Sequence, residues 1–399
     1  MTEKLFQKDM YMREADSTVV SFEGDRLVLA GTVFAPAAGG QPCDRGTVNG
    51  IPVVDVQEDK GVIVHILDAA SAEDSEAAAK ACSQLSAGAD VHMVIDWNRR
   101  FDHMQNHLGE HILSGLFKKV YDLDNKGFHL GEEHATFDID SKEITKEMLD
   151  HIEDLANQVI YDALPVTVDI LENLEAASKM PLRKELKVEE DITVVTVPGV
   201  DCVACCCPHP ANTSQIGVIK LLRTEKYKGM TRIHFKCGRR ALMDYRQKHD
   251  VTSVLNEKYS ADEFTLLDKI KIADDKNEAI RKDLNKMKNT FAEIHAEKML
   301  AEADSVVAGE MEKATIDDLK RIAKKLVDMT DKPVAISSAS DLCVFLTHSG
   351  KSKLKCGKIV KEFATGAGGK GGGGDTQAQV IFNNIDLMRN FIMIVKASV

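Results

Sequence analysis

Two pairs of candidate metal ligands, far apart in the chain, constrain its fold more than any other feature. His107 and His111 stand four residues apart in a stretch of helical periodicity, with apolar residues at Leu108, Ile112 and Leu116, so both imidazoles project from one helix face. Cys205 and His209 repeat that separation, but Pro208 and Pro210 exclude a regular helix there, and the second pair has to arrive on a loop. Cys202, Cys206 and Cys207 crowd the same loop, and each can offer a thiolate in place of Cys205. Three imidazoles and one thiolate form a donor set that suits tetrahedral zinc. The chain must therefore fold its middle back onto the helix.

The rest of the pattern supplies the frame. Residues 17–95 run in short alternating stretches such as Arg26 to Val33, Gly61 to Leu67 and Asp90 to Ile95, separated by Gly, Pro, Asn and Asp, which reads as a small β-barrel. A helix over Phe101 to Tyr121, a strand at His134 to Ile139 and a helix over Lys142 to Ala163 follow. Strand signals return at Val166 to Leu171, Ile192 to Val197, Gly217 to Arg223 and Thr231 to Cys237. Beyond Leu266, the residues Ile270, Ala273, Asn277, Ile280, Leu284, Met287, Phe291 and Ile294 alternate spacings of four and three, the seam of a coiled coil or helical hairpin that would pair subunits. Ala314 to Met329 then reads as a helix, Val334 to Ser338 and Leu342 to Thr347 as paired strands, and Ile359 to Phe363 and Val380 to Phe382 as strands around a glycine run.

Composition limits what this frame can do. With 399 residues, 44% hydrophobic and 29% charged, the chain supports two to four globular domains. No apolar run is long enough to cross a bilayer and no signal-type segment opens the chain, so a cytoplasmic protein with no membrane association is expected. Nine cysteines, an odd number, suit thiolate chemistry in a reducing compartment better than a disulfide framework. A net charge of −12 argues against non-specific adhesion to nucleic acid while leaving room for local patches, among them Arg99 with Arg100, Arg183 to Lys187, Lys220 to Arg240 and Lys351 to Lys361. His107 to His111 also spell H-x-x-E-H, the zinc-peptidase signature in which the glutamate activates water. A peptidase is thus one reading, and a non-catalytic binding or interaction protein with purely structural zinc is another.

Several blocks together resemble the AlaX family, free-standing relatives of the editing domain of alanyl-tRNA synthetase, in a long form with the extra C-terminal region. Thr32 to Gly46 is similar to that family's T-x-F-x-P-x-x-G-G-Q-P-x-D-x-G segment. Asp96 to Ser114 resembles the helix with the first two zinc ligands, here His107 and His111. Cys205-Cys-Cys-Pro-His209, with Thr213, Ile216 and Gly217 behind it, is similar to the family's C-G-G-T-H loop, keeping both ligands but not the small residues between them. Thr231 to Leu242 resembles the strand and turn that close the editing domain, and Gly366 to Gly374 the glycine-rich loop of the synthetase's C-terminal domain.

The resemblance implies an α+β fold in four parts: a β-barrel over 1–95, a zinc-binding α/β editing domain over 96–248, a coiled-coil-like helical arm over 249–303 and a glycine-rich α/β domain over 304–399. It implies Zn2+ held by His107, His111, Cys205 and His209, and hydrolysis of the ester that joins serine or glycine to tRNA(Ala). Zinc would polarise the carbonyl or lower the pKa of a water to about 7. Glu110 is the candidate proton acceptor, and Thr32 and Gln41 the candidates to recognise the serine hydroxyl. Arg99, Arg100, Arg232 and Lys370 are expected to contact tRNA, and the arm or C-terminal domain to form a homodimer. No motif resembles an adenylation site, so no ATP requirement is expected.

Overall fold

The computed structural model describes residues 1–171, 174–177, 179–186, 192–364, 366 and 368–399. Lys187, in one of the basic runs, and Ala367, in the glycine run, lie outside the described residues. The chain is mixed α and β and divides into two compact units, Met1–Ser253 and Val254–Val399. No helix of the described residues is long and apolar enough to cross a membrane.

The first unit begins with six strands: β1 (Glu14–Glu23), β2 (Arg26–Leu29), β3 (Gly46–Val48), β4 (Ile51–Asp59), β5 (Val62–Leu67) and β6 (Asp90–Ile95). They pair in the order β1-β2-β5-β4-β3-β6, and β6 pairs back with β1, so the sheet closes into a ring. Alternation drives this closure. Leu27, Leu29, Val48, Ile51, Val56, Ile63 and Met93 all point into one core, with polar residues between them facing out. His65 is the polar intruder in that core. Its Nδ1–H donates to the Leu27 carbonyl (3.1 Å), so its Nε2 accepts from the Thr32 hydroxyl (2.7 Å).

Helix α1 (Trp97–Tyr121) leaves the ring directly, capped by Asp96, whose carboxylate accepts from the Arg99 amide. From His103 to Phe117 every residue is buried, so the helix is a strut through the unit rather than a surface element. One side rests on a sheet ordered β12-β13-β8-β7, from β7 (Asn125–Leu130), β8 (Ala135–Ile139), β12 (Ile219–Tyr227) and β13 (Met230–Cys237). Close approach needs a missing side chain: a Cβ at Gly109 would lie 2.3 Å from the Cys237 sulfur. Helix α2 (Lys146–Tyr161) covers the same core, and a three-stranded sheet of β9 (Thr167–Leu171), β10 (Ile192–Val197) and β11 (Asp201–Ala204) completes it. β7 and β11 are absent from the sequence reading. NKGFHL carries only two apolar residues, and DCVA, at four residues, is too short to show an alternation. Helix α3 (Gly238–Tyr259) follows β13 directly.

The second unit contains α4 (Leu266–Ala301), then β14 (Val307–Met311), α5 (Ile316–Met329), β15 (Val334–Ser338), β16 (Cys343–Thr347), β17 (Lys370–Gly373), β18 (Gln377–Ile381) and α7 (Ile385–Ala397), α6 being the short Cys356–Ile359. Its sheet is ordered β14-β15-β16-β18-β17. Ala292, Ala296 and Met299 of α4 are buried in its core, whereas Ile280, Leu284, Met287 and Ile294 of the seam are exposed. One expectation is corrected: Ile359 to Phe363 is helical, not a strand. Cys356, Ile359 and Val360 are buried at the three-and-four spacing of a helix face, a period that outweighs the β-branched composition. The glycine run itself contributes the edge strand β17, in which a Cβ at Gly371 would lie 2.1 Å from the Gln379 carbonyl.

Burial pushes the His65 imidazole down to about 4, so the folded protein holds this ring neutral while the unfolded chain binds a proton below about pH 6.5. Its contribution to stability is complete above that pH and drains away as pH falls towards about 4, with a loss of roughly 2 kcal/mol between pH 7 and 5. Urea melts at the two pH values check this. Thr32→Val should cost about 1–3 kcal/mol at pH 7 by stranding the His65 nitrogen.

Candidate metal centre

The fold brings four ligand atoms together from two places. His107 and His111 lie one turn apart on α1, while Cys205 and His209 sit on the loop after β11; all four donor atoms fall within 4.8 Å of one another. His111 Nε2 is 3.2 Å from His209 Nε2, and the Cys205 sulfur is 3.7 Å from His107 Nε2 and 3.8 Å from His209 Nε2. A tetrahedron with zinc bond lengths to nitrogen and sulfur has edges of about 3.3 Å between nitrogens and about 3.6 Å between nitrogen and sulfur. The spacing and donor chemistry fit zinc.

The surrounding groups point the correct nitrogens inward. His107 Nδ1–H donates to Gln41 Oε1 (2.8 Å) and His111 Nδ1–H to Asp201 Oδ2 (3.0 Å), which turns both Nε2 atoms towards the centre, each with a lone pair for a metal when its ring is neutral. Gln41 reaches His107 because the preceding turn is compressed: Gly39 and Gly40 both have positive φ, and a Cβ at Gly40 would stand 2.3 Å from the Phe128 carbonyl. Asp201 is held in turn by Arg183, whose Nε donates at 2.6 Å.

Electrostatics favour a cation. Cys205 is held well below the ordinary thiol range, first by a hydrogen bond from the Cys207 thiol and then, against the opposing effect of burial, by His107 and His209. Cys207 is correspondingly pushed up and stays a thiol. Burial disfavours a charge on His111, but Asp201 and Cys205 override it and raise the ring to about 10. The same field would hold a metal ion. The cysteine register also resolves: Cys205 converges with the imidazoles, Cys206 is exposed, Cys207 points its sulfur at the Ala38 carbonyl (3.4 Å), and Cys202 is buried against Ile192 and Val194.

A cavity of about 460 Å³ opens beside the four ligands, lined among others by Glu110, Asn125, Phe128, Lys184 and Thr193. The Glu110 carboxylate is buried and accepts from the Ser114 hydroxyl and the Asn125 amide. Lys184 is an exposed residue on the cavity wall, its pKa lowered by partial desolvation of the ammonium and by Arg183. Asp201 and Asn125 were invisible in the sequence, since isolated polar residues in strands carry no periodic signal, and Arg183 and Lys184 showed there only as part of a basic run.

The remaining candidates are placed as follows. Thr32 is wholly buried in the ring core with its hydroxyl committed to His65, and it does not line the cavity. Gln41 is a ligand-orienting residue. Arg100 is likewise wholly buried: its Nε donates to both Asp44 oxygens (2.9 Å each) and a terminal nitrogen to the Val33 carbonyl (2.7 Å), so it ties α1 to the ring and has no charge to offer a phosphate. Arg99 is partly exposed, its Nε on the Cys43 carbonyl. Arg232 pairs with Asp138 and lies 3.5 Å over the Tyr227 ring. Lys370 is exposed on β17, in the second unit.

Residues 192–234 match the family described as the threonyl and alanyl tRNA synthetase second additional domain. Over 95% of its length the chain is 31% identical to the alanyl-tRNA editing protein AlaX-L of Pyrococcus horikoshii, 94% of which is covered. The chain belongs to the AlaX family of alanyl-tRNA editing proteins. It is also 29% identical, again over 95% of its length, to the alanine–tRNA ligase of Ignicoccus hospitalis, of which it spans 41%. Against the alanyl-tRNA editing protein Aarsd1 of Mus musculus it is 34% identical over 61% of each chain. With membership of a family of tRNA editing proteins, the H-x-x-E-H peptidase reading is not favoured.

Asp201→Asn is expected to weaken zinc binding about 10- to 100-fold by loosening His111, and Cys205→Ser to lose the metal. Cys206→Ser should keep it. Competition with a chromogenic chelator, with metal stoichiometry by plasma emission, measures all three.

Proposed function

We propose that the chain is a zinc-dependent deacylase that hydrolyses the ester of serine or glycine mischarged onto tRNA(Ala). What carries the reading is the open cavity next to four converged ligands, in a chain that matches a named alanyl-tRNA editing protein along nearly all of its length. His107, His111, Cys205 and His209 would hold the ion; when bound, zinc supplies Lewis-acid polarisation of the ester and a lowered pKa for the attacking water.

The chain's own residues do the rest. Gln41 and Asp201 fix the ligand imidazoles in the tautomer that faces the centre. Glu110 accepts a proton from the attacking water, with Ser114 and Asn125 holding its carboxylate towards the cavity. The Lys184 ammonium offsets negative charge that develops at the ester. Discrimination against alanine falls to polar groups lining the cavity, since Thr32 is sealed in the ring core.

The four-part division reads naturally onto this activity. The strand ring of 1–95 acts as a small barrel that presents Gln41, the 96–248 segment carries the chemistry, the 249–303 arm pairs two copies, and the 304–399 domain helps hold tRNA in the cytoplasm through Lys370. Arg99 and Arg232 supply further phosphate contacts.

Three measurements test the reading. Incubation with serine-charged and alanine-charged tRNA(Ala) should release serine and spare alanine, without ATP; chelator-stripped protein should lose activity and regain it with Zn2+. Glu110→Gln should lower turnover about 100-fold, and unchanged turnover would remove Glu110 from proton transfer. Sedimentation equilibrium of the full chain should give a dimer that Leu284→Asp with Met287→Asp converts to a monomer.

A further inference from the structure

A second concavity lies in the same unit and shares no lining residue with the metal cavity. It is a cleft of about 1410 Å³ bounded by Pro42 and Arg45 before β3, the first turns of α1 and α3, and the turn between β7 and β8. That size exceeds what a single small anion needs.

Its charges are not evenly matched once internal pairs are removed. Asp102 is taken by Arg240 (2.7 Å), and Asp244 by Lys236 (3.0 Å) and Lys248 (2.5 Å). Left facing the cleft are three guanidiniums: Arg45 and Arg239, exposed and without an ion-pair partner among the described residues, and Arg99, which uses only its Nε on a backbone carbonyl. Opposite them, Glu132 and Glu133 stand exposed on the β7–β8 turn. Three guanidiniums drawn from separate elements repel one another unless an anion sits between them, and the planar fork of each suits phosphate oxygens.

The cleft floor adds an independent observation. His103 is 3% exposed, lines the cleft, and has a buried Nδ1 with no hydrogen-bond partner among the described residues. Burial, with Arg99, Arg240 and Arg100 nearby, pushes this ring down to about 3 and keeps it neutral. Buried polar atoms in a folded protein are nearly always paired, and an exception calls for a missing partner. His103 also lies one helical turn before the ligand His107, about 6 Å along the axis, so one polymer end can occupy both places.

We infer that this cleft grips the phosphodiester backbone of a single-stranded RNA end, one step removed from the ester presented to the metal centre. The inference rests on the deacylase reading for the identity of that RNA. Arg45, Arg99 and Arg239 hold the phosphates, His103 meets the strand on the floor, and Glu132 and Glu133 accept hydrogen bonds from ribose hydroxyls or base amino groups, contacts that a free phosphate lacks.

The test measures binding of uncharged RNA rather than hydrolysis. A fluorescein-labelled hexaribonucleotide with the acceptor-end sequence is titrated with the full chain between 50 and 200 mM salt, the anisotropy giving Kd. Arg45→Ala with Arg239→Ala, both exposed and outside any internal pair, should raise Kd at least tenfold and flatten the log–log salt slope by about 1.4, at about 0.7 per phosphate contact. His103→Phe should weaken binding without altering that slope. A 4-thiouridine in the strand should crosslink within residues 98–103 or 239–247. Wild-type affinity and slope in the double variant, no binding by the wild type, or displacement of the RNA by equimolar inorganic phosphate would each overturn the cleft assignment. If the double variant binds RNA normally while the protein hydrolyses mischarged tRNA, the cleft fails and the deacylase reading stands. Arginine-dependent binding without ester hydrolysis upholds the cleft and removes the deacylase reading.

Discussion

Helix α1 is buried on every side from His103 to Phe117 although half of that stretch is polar, and everything else in the first unit answers to that constraint. A helix sunk in the core with apolar residues all round needs only packing; this one needs a partner for each polar side chain. Gln105 finds the Gln215 carbonyl, Asn106 bonds the Asp102 carbonyl and the Cys237 amide, His107 finds Gln41, Glu110 finds Ser114 and Asn125, and His111 finds Asp201. The partners come from the ring, both sheets and the ligand loop. The helix therefore fixes the relative positions of those elements, and the metal centre falls where they meet.

Placing the chemistry on such a strut has a functional consequence. Ligands at the surface would be free to adopt other rotamers, and ion geometry would vary with them. Here the ring anchors the start of the helix through the buried Arg100–Asp44 pair, Gly109 lets it press onto β13, and the imidazoles are turned by carboxylate and amide partners that are themselves fixed. At the site, Asp201 and the Cys205 thiolate supply negative charge, with Arg183 paired to Asp201, while Arg45, Arg99 and Arg239 line the separate cleft. An ester with a phosphodiester tail has matching needs at the same two places.

The departure from the usual loop, Cys206-Cys207-Pro208 in place of small residues, turns out to have a division of labour. Cys207 remains a thiol, lowers the Cys205 pKa and donates to the Ala38 carbonyl, whereas Cys206 faces outward. The three adjacent cysteines thus differ: one converges with the imidazoles, one is a buried thiol and one is exposed.

Legible along the chain were the two residue pairs that converge, the order of most helices and strands, the four-and-three periodicity within α4 and the family, because each rests on spacing or on short-range pattern that survives without contacts. Not legible was what lies on the polar face of α1. Periodicity at Leu108, Ile112 and Leu116 marked one buried face and left the other for solvent, since a sequence registers polarity but not the partners that make polarity tolerable inside. It took long-range folding to make Arg100 and Thr32 core residues, to set Asp201 and Gln41 on the imidazoles, to turn Ile359 to Phe363 helical against its core, and to bring Arg45, Arg99 and Arg239 to one cleft with His103. The physical reason is common to all of these: burial and long-range pairing set the role of a polar side chain, and neither is encoded in its neighbours along the chain.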